Sequence, residues 1–323
     1  MSITSYPQQS LSQSDATIMV DEFVATVLCS SSLAFKTRSD PDVKGDSRLQ
    51  RYMPCLRTMM DLFNGRVDYD LSEPLRLFNS ARLEIQLEGV GSHFICPAPN
   101  DSDRYLSDRE CFNLLIKCIR KNSHDGRYVR SLRDRAHDFK IRSHELKTYV
   151  ETVMEVYPRT LVLRGSLCYM EALKPWFRVG DVFADRCHLL NALAGHPIFA
   201  DLAGYTLEVE QADMQGFYIN AAFYLDASKV ENQLDHTQQI GALWADITDG
   251  RGYWDDIGQN LAGWHGREGR TTGVFETANQ TKILRVAKGM TGLGRASKAL
   301  RIMPKGGQAV ITGRWPGQLY QVA

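Results

Sequence analysis

The sequence has no hydrophobic run long enough to cross a membrane, and it lacks the features of a secretory leader. No stretch approaches about 18 consecutive apolar residues. The first 15 residues contain five serines and three glutamines but no lysine or arginine, so they do not resemble a signal peptide. We expect a short disordered tail over residues 1–15, no membrane partner and a cytoplasmic location.

Cysteine pairs and the familiar catalytic motifs are also missing. The seven cysteines are odd in number and no CxxC occurs, which argues against a disulfide framework and a structural zinc site. No GxSxG, HExxH, P-loop or GxGxxG is present, and no two histidines are spaced as His-x-His. These absences favour a cytosolic protein with reduced thiols and argue against the commonest hydrolase and nucleotide-binding sites.

The charge of the chain is balanced overall but unevenly distributed. There are 38 basic and 38 acidic residues, yet residues 266–323 hold ten lysines and arginines against two glutamates, a net charge of +8. A second basic stretch, residues 117–147, has ten basic residues against four acidic ones. Such clusters attract phosphate, although an ordinary solvated basic surface has the same pattern.

The C-terminal basic stretch supplies the candidate DNA-contacting residues. Aromatic residues lie beside it, and aromatic rings can stack on bases while cations hold phosphates. Trp254 and Trp264 can equally well belong to a hydrophobic core. The candidate contacts are Arg267, Arg270, Arg285, Lys288, Lys298, Arg301, Lys305 and Arg314.

Hydrophobic periodicity divides the chain near Pro158. Residues 16–157 have mainly helical spacing, and Ser143 is the expected N-cap of the last helix in this region. Residues 158–323 alternate strands and helices in the order β-α-β-β-α-β-α-β. This order predicts an α+β fold in which an antiparallel, ferredoxin-like sheet carries helices on one face. The expected helices cover residues 21–32, 48–63, 107–121, 143–157, 181–200, 229–246 and 277–290. The expected strands cover 159–170, 205–211, 217–226 and 253–257, with two short ones flanking 304–307.

Two adjacent predicted strands carry a polar group that can do chemistry. Glu208 and Glu210 share one face because side chains alternate along a strand, and a tight hairpin sets them beside Tyr218 and Asn220. Paired carboxylates can hold Mg²⁺ or Mn²⁺, and Asp226 is a further candidate ligand. An ordinary polar strand face is the alternative interpretation.

Four segments of the C-terminal half follow one another in a characteristic order. They are the helix and strand ending in RTLVLRGSLCY (159–169), GFYINAAFYLDASKV (216–230), IGALWADITDGRGYWDD (240–256) and ILRVAKGMTGLGRASKALRIMPKGGQAVITGR (283–314). Through these segments, residues 143–315 resemble the YagK/YfjJ C-terminal domain family of inovirus-like prophage replication proteins.

The resemblance implies a divergent relative of the HUH rolling-circle initiators, with degenerate motifs. In those proteins, two histidines on a central strand hold a divalent cation and a tyrosine on a later helix attacks the DNA phosphodiester. Here Tyr218 and Asn220 stand at the histidine positions, and Gly289 stands near the tyrosine position. The resemblance therefore implies that the nicking chemistry has been lost.

Three functional hypotheses follow. The leading one is a DNA-binding protein of prophage or mobile-element origin that has no nicking activity, or a much reduced one, and needs no cofactor. It acts at an origin or promoter, recognises single-stranded or hairpin DNA, and contacts host replication proteins. The second is a Mg²⁺- or Mn²⁺-dependent nuclease or nucleotidyl transferase built on Glu208 and Glu210. The third is an interaction module whose basic end binds an acidic protein.

Overall fold

The computed structural model divides the chain into two compact units, Met1–Ala136 and His137–Ala323. None of the helices in the described part of the chain is long and apolar enough to cross a membrane. The described residues are 11–38, 41–42, 44–65, 68–99, 101–213, 215–229, 233–256, 272–276 and 300–314.

The first unit is mainly helical, as the sequence predicts. Its core centres on the rings of Phe23, Phe78 and Phe112, with centroids 5.4 Å apart for Phe23 and Phe112. The helices are α1 (Gln13–Cys29), α2 (Ser47–Gln50), α3 (Leu56–Asp61), α4 (Glu73–Glu84) and α5 (Asp108–Ser123). The short strands are β1 (Tyr69–Leu71), β2 (Glu88–Val90), β3 (His93–Ile95), β4 (Pro97–Ala98) and β5 (Asp101–Tyr105).

The start of α1 corrects the expected tail over residues 1–15. The hydroxyl of Ser12 accepts a hydrogen bond from the backbone N–H of Asp15 at 3.0 Å, so it caps the helix. Gln13 and Ser14 are buried. The polar composition of this segment suggested disorder, but capping and burial place residues 12–15 in the ordered unit.

Helix α6 (Gly126–Val156) is longer than predicted and corrects the domain boundary. Ser143 is not its N-cap, because the helix begins 17 residues earlier. The division between the units falls inside α6 rather than at residue 158. The physical reason is packing: Tyr149, Val150 and Val153 are buried against the sheet of the second unit.

The second unit is built on an antiparallel sheet with the order β10-β6-β8-β7-β12, and β9 also pairs with β6. Reading β6, α7, β7, β8, α8 and β9 along the chain gives the strand order β9-β6-β8-β7, which is the ferredoxin-like arrangement. The predicted α+β class is confirmed, with β6 and β8 as interior strands. The helices are α7 (Val179–Gly195) and α8 (Gln233–Ile247). The strands are β6 (Arg159–Tyr169), β7 (Leu202–Ala212), β8 (Gly216–Asp226), β9 (Gly252–Asp256), β10 (Gly273–Glu276), β11 (Ile302–Pro304) and β12 (Val310–Thr312).

Helices α7 and α8 cover one face of this sheet, as predicted for the helices of residues 158–323, and α6 covers the other face. Helices α7 and α8 share a face, where Trp244 of α8 packs against Tyr169 with ring centroids 5.6 Å apart. On the other face, Tyr224 of β8 packs against Tyr149 of α6 at 6.5 Å. The helix expected at residues 143–157 was assigned to the N-terminal region, and its apolar residues 146–154 are buried against this second face of the sheet as part of α6.

One strand glycine is required by the packing of the sheet. Gly165 lies in the middle of β6, and a Cβ atom there would overlap the indole ring of Trp254 on the neighbouring strand β9. That ring also packs against Phe223, with centroids 6.1 Å apart. The glycine therefore lets the indole ring of Trp254 pack over β6 and reach Phe223 of β8.

Two further predicted elements have different outcomes. The short strands expected around residues 304–307 are confirmed as β11 and β12. The basic helix expected over 277–290 lies outside the described residues.

Candidate functional site

The polar group predicted on two adjacent strands is assembled in the structure. In the pairing of β7 with β8, Glu208 lies opposite Asn220 and Glu210 lies opposite Tyr218. Alternation along β8 puts Tyr218 and Asn220 on the face that also carries Tyr224, the face covered by α6. The hairpin register predicted from the sequence is therefore confirmed.

Hydrogen bonds tie three of these residues together. The hydroxyl of Tyr218 donates to the carboxylate of Glu210, and the Asn220 amide donates to Glu210 Oε1 at 3.4 Å. All three side chains are buried. Burial and the adjacent Glu210 carboxylate raise the pKa of Tyr218 well above its usual value, so the phenol stays protonated. A protonated, buried phenol is a hydrogen-bond donor and a poor nucleophile.

Asp226 does not join this group, although the sequence analysis considered it a possible third metal ligand. It lies six residues beyond Asn220 on β8, about 20 Å away at the rise of a strand. Its carboxylate instead accepts from the Ser228 hydroxyl at 2.6 Å and lies 3.7 Å from the Lys229 ammonium. Within the described ranges, no three His, Cys, Asp or Glu side chains converge as a metal site would require.

The predicted DNA-contacting residues have mixed outcomes. Lys305 and Arg314 are exposed, as a DNA contact requires. Arg301 is buried, and its backbone N–H donates to Gln211 Oε1 at 3.3 Å, so its assignment to an exposed surface is wrong. The reason is its position beside buried Ile302, where the chain packs against the end of β7. The remaining candidates, Arg267, Arg270, Arg285, Lys288 and Lys298, lie outside the described residues, as does Gly289.

Helix α6 presents a cationic face that the sequence analysis did not identify. At about 100° per residue, spacings of three and four place one side chain above the next. The basic side chains that repeat in this way form what we call the α6 cationic face, and they are Arg130, Arg133, His137, Lys140, His144 and Lys147. Each of these residues is exposed except Lys147, which is half-buried and lies 3.7 Å from Glu151.

The acidic residues of the same helix segment lie to one side of that face. Around the helix axis, these acidic side chains lie about 40–80° beyond Arg130, on the side away from Lys140. They are Asp134, Asp138 and Glu145. From Arg130 to Lys147 the face extends about 26 Å at the rise of an α-helix. The arrangement is therefore a continuous positive strip rather than a mixture of alternating charges.

The spacing of the cations could have revealed this face. The apolar stripe that predicts a helix begins at Leu146, so the basic stretch 117–147 stands out in the sequence by its composition alone. Cations at positions 130, 133, 137, 140, 144 and 147 repeat with the period of a helix. In contrast, Arg120 of the same stretch binds backbone carbonyls, including that of Ser32 at 2.6 Å.

Neither the protein-family models, nor the curated proteins, nor the solved structures compared with this chain give a match.

Proposed function

We propose that this chain binds DNA through the α6 cationic face. The observation that carries the proposal is the alignment of four lysines and arginines with two histidines on one exposed side of a single helix. Lys and Arg that neutralise phosphates release condensed counterions, and this release drives binding that is largely independent of sequence. A strip about 26 Å long matches a length of duplex whose two strands together carry some 15 phosphate charges, at about one per 1.7 Å of helix axis.

We further propose that the chain does not nick DNA. The resemblance to HUH initiators assigns metal binding to the positions of Tyr218 and Asn220, and neither offers an imidazole. The Tyr218 hydroxyl and the Asn220 amide both donate to Glu210, so these groups support a hydrogen-bonded strand pair. A role in marking an origin or promoter of a prophage or other mobile element is compatible with binding alone.

The first experiment measures binding and cleavage together on the full chain. Fluorescence anisotropy would follow a labelled single strand, a hairpin and a duplex, each with and without Mn²⁺, and denaturing gels would detect strand scission. We expect binding at low salt that does not need Mn²⁺, intact DNA and no denaturant-resistant protein–DNA adduct. Failure to bind all three forms would contradict the DNA proposal, and a phosphotyrosyl adduct would contradict the second proposal.

The same gels test the metal-dependent alternative. Mn²⁺-dependent cleavage that disappears in Glu208→Ala would favour the nuclease hypothesis over binding alone. Glu208 is the informative position because it is half-exposed, whereas Glu210 is buried beneath the Tyr218 hydroxyl. Asp226→Ala is the matched control, since that carboxylate lies about 20 Å along the strand from Asn220.

A further inference from the structure

A second feature of α6 lies on a different side of the helix. Val129, Leu132, Ala136 and Phe139 repeat at spacings of three, four and three, the a and d positions of a heptad. The next a position is the polar Ser143, after which the repeat resumes with Leu146, Val150 and Val153, which are buried against the sheet. Its N-terminal part is uncovered: Val129 is 37% exposed, Leu132 40% and Phe139 43%. We call these four residues the α6 apolar stripe.

The charges beside the stripe identify its partner. The flanking e positions are Arg133 and Lys140, and the flanking g positions are Arg135 and Arg142. A second copy of this helix would set cation against cation in either orientation, which disfavours self-pairing. Arg135 is bound to Glu73 at 2.7 Å, but the other three cations remain exposed along both edges of the stripe.

We propose that the α6 apolar stripe docks an amphipathic helix of a partner protein whose flanking positions are acidic. Apolar anchors at i, i+3, i+7 and i+10 are the pattern by which one helix face recognises another. Acidic flanks on the partner would meet the cations on both sides of the stripe. Phosphates complement those cations equally well but offer no apolar surface for Leu132 and Phe139, so a protein helix fits this surface better than DNA.

This inference goes beyond the proposed DNA binding and uses the side of the helix next to the cationic face. Around the helix axis, Phe139 points about 160° away from His137, which lies near the centre of the cationic side. It points equally far from Ile141, which lies at the edge of that side. Arg133 and Lys140 border both surfaces. A partner helix and DNA would therefore compete for those two side chains while the remainder of each surface stays separate.

The test uses the full chain and designed peptides of about three heptads. One peptide carries Leu at a and d with Glu at e and g, a second replaces those Glu by Lys, and a third scrambles the first so that its heptad is lost. We expect the Glu-flanked peptide to bind, the Lys-flanked peptide to fail and the scrambled peptide to bind at least about tenfold more weakly, since apolar anchors dominate such interfaces. Equal binding of the first and third peptides would overturn the proposal, because charge alone would then explain it.

A pair of variants on the protein locates the contact. Phe139→Ser should weaken binding of the Glu-flanked peptide by about tenfold or more. Ile141→Ser is the matched control, since Ile141 is 44% exposed but lies on the opposite side of the helix, and it should leave peptide binding unchanged. Both variants should retain DNA binding, which separates this inference from the proposed function. Peptide binding that is unchanged in Phe139→Ser would overturn the acidic-partner proposal. So would sedimentation showing that the wild type self-associates and that this variant does not.

Discussion

The hydroxyl of Tyr218 donates a hydrogen bond to the carboxylate of Glu210, the residue directly opposite it across the β7–β8 pair. Both side chains are buried, so the carboxylate depends on Tyr218 and Asn220 for polar contact within this group. Replacing Tyr218 by Phe keeps the ring and removes the donor. The effect of losing the hydrogen bond can therefore be measured separately from a loss of packing.

We expect Tyr218→Phe to lower the free energy of unfolding by about 1.5–3 kcal/mol, the usual contribution of one hydrogen bond to a charged group. DNA affinity should stay unchanged because Tyr218 is not on the α6 cationic face. Urea denaturation followed by circular dichroism measures the first effect, and anisotropy measures the second. Tyr253→Phe, at a tyrosine that is 46% exposed, is the control and should cost no more than about 0.5 kcal/mol. Wild-type stability in Tyr218→Phe would show that this hydrogen bond does not stabilise the fold.

The contact of Gly165 with Trp254 predicts a second stability effect. Gly165→Ala places a methyl group against the indole ring, so we expect a loss of about 1–3 kcal/mol from overpacking. The matched control is Gly180→Ala in α7, where a new Cβ meets no atom within 4 Å and should be neutral or stabilising. Thermal unfolding with tryptophan fluorescence compares the two. Equal melting temperatures for both variants would contradict the packing described for Trp254.

Glu84 predicts a pH dependence in the first unit. Hydrogen bonds from the Lys121 ammonium and then the Asn122 amide, each 2.7 Å long, lower the pKa of Glu84 from its ordinary value of 4.5 to about 2. A lowered carboxyl pKa means that the folded state favours the ionised form. Its stabilising effect is complete above the unfolded pKa and is lost as pH falls from about 4.5 towards 2.

We therefore expect Glu84→Gln to be less stable than the wild type at pH 7 and equally stable near pH 2. The difference at pH 7 should be modest, up to about 1 kcal/mol, because the pair is partly exposed to water. Urea midpoints measured at intervals from pH 7 down to the acid limit of folding provide the test. A stability difference that stays constant across this range would contradict the assigned ionisation.

The fold was predictable where the hydrophobic pattern is long and local. Strands β6 and β8 each run for 11 residues with strong apolar alternation, and their interior position followed from it. The first 17 residues of α6 were not predicted as a helix because they bury little apolar surface. A helix that is exposed on most sides shows little of the periodicity by which buried helices are recognised.

The candidate site was predictable in its pairing but not in its environment. The period of a strand placed Glu208 and Glu210 on one face, and the short hairpin set Tyr218 and Asn220 beside them. The same geometry shows that Asp226 is too far along β8 to join them. The burial of a charged side chain could not be predicted from the charge of the surrounding sequence. Arg301 belongs to a basic stretch by composition but is buried in the second unit.

The most direct test of the central claim is the salt dependence of duplex DNA binding by an α6 variant. Arg130, Arg133 and Lys140 would be replaced together by Ala, and Lys36, Arg38 and Lys44, exposed cations in a loop, would be replaced in the matched control. If each α6 residue neutralises one phosphate, the slope of log K against log salt should become shallower by about 2.7 in the α6 variant and stay unchanged in the control. A folded α6 variant that keeps the wild-type affinity and slope would contradict the assignment of the DNA surface to α6.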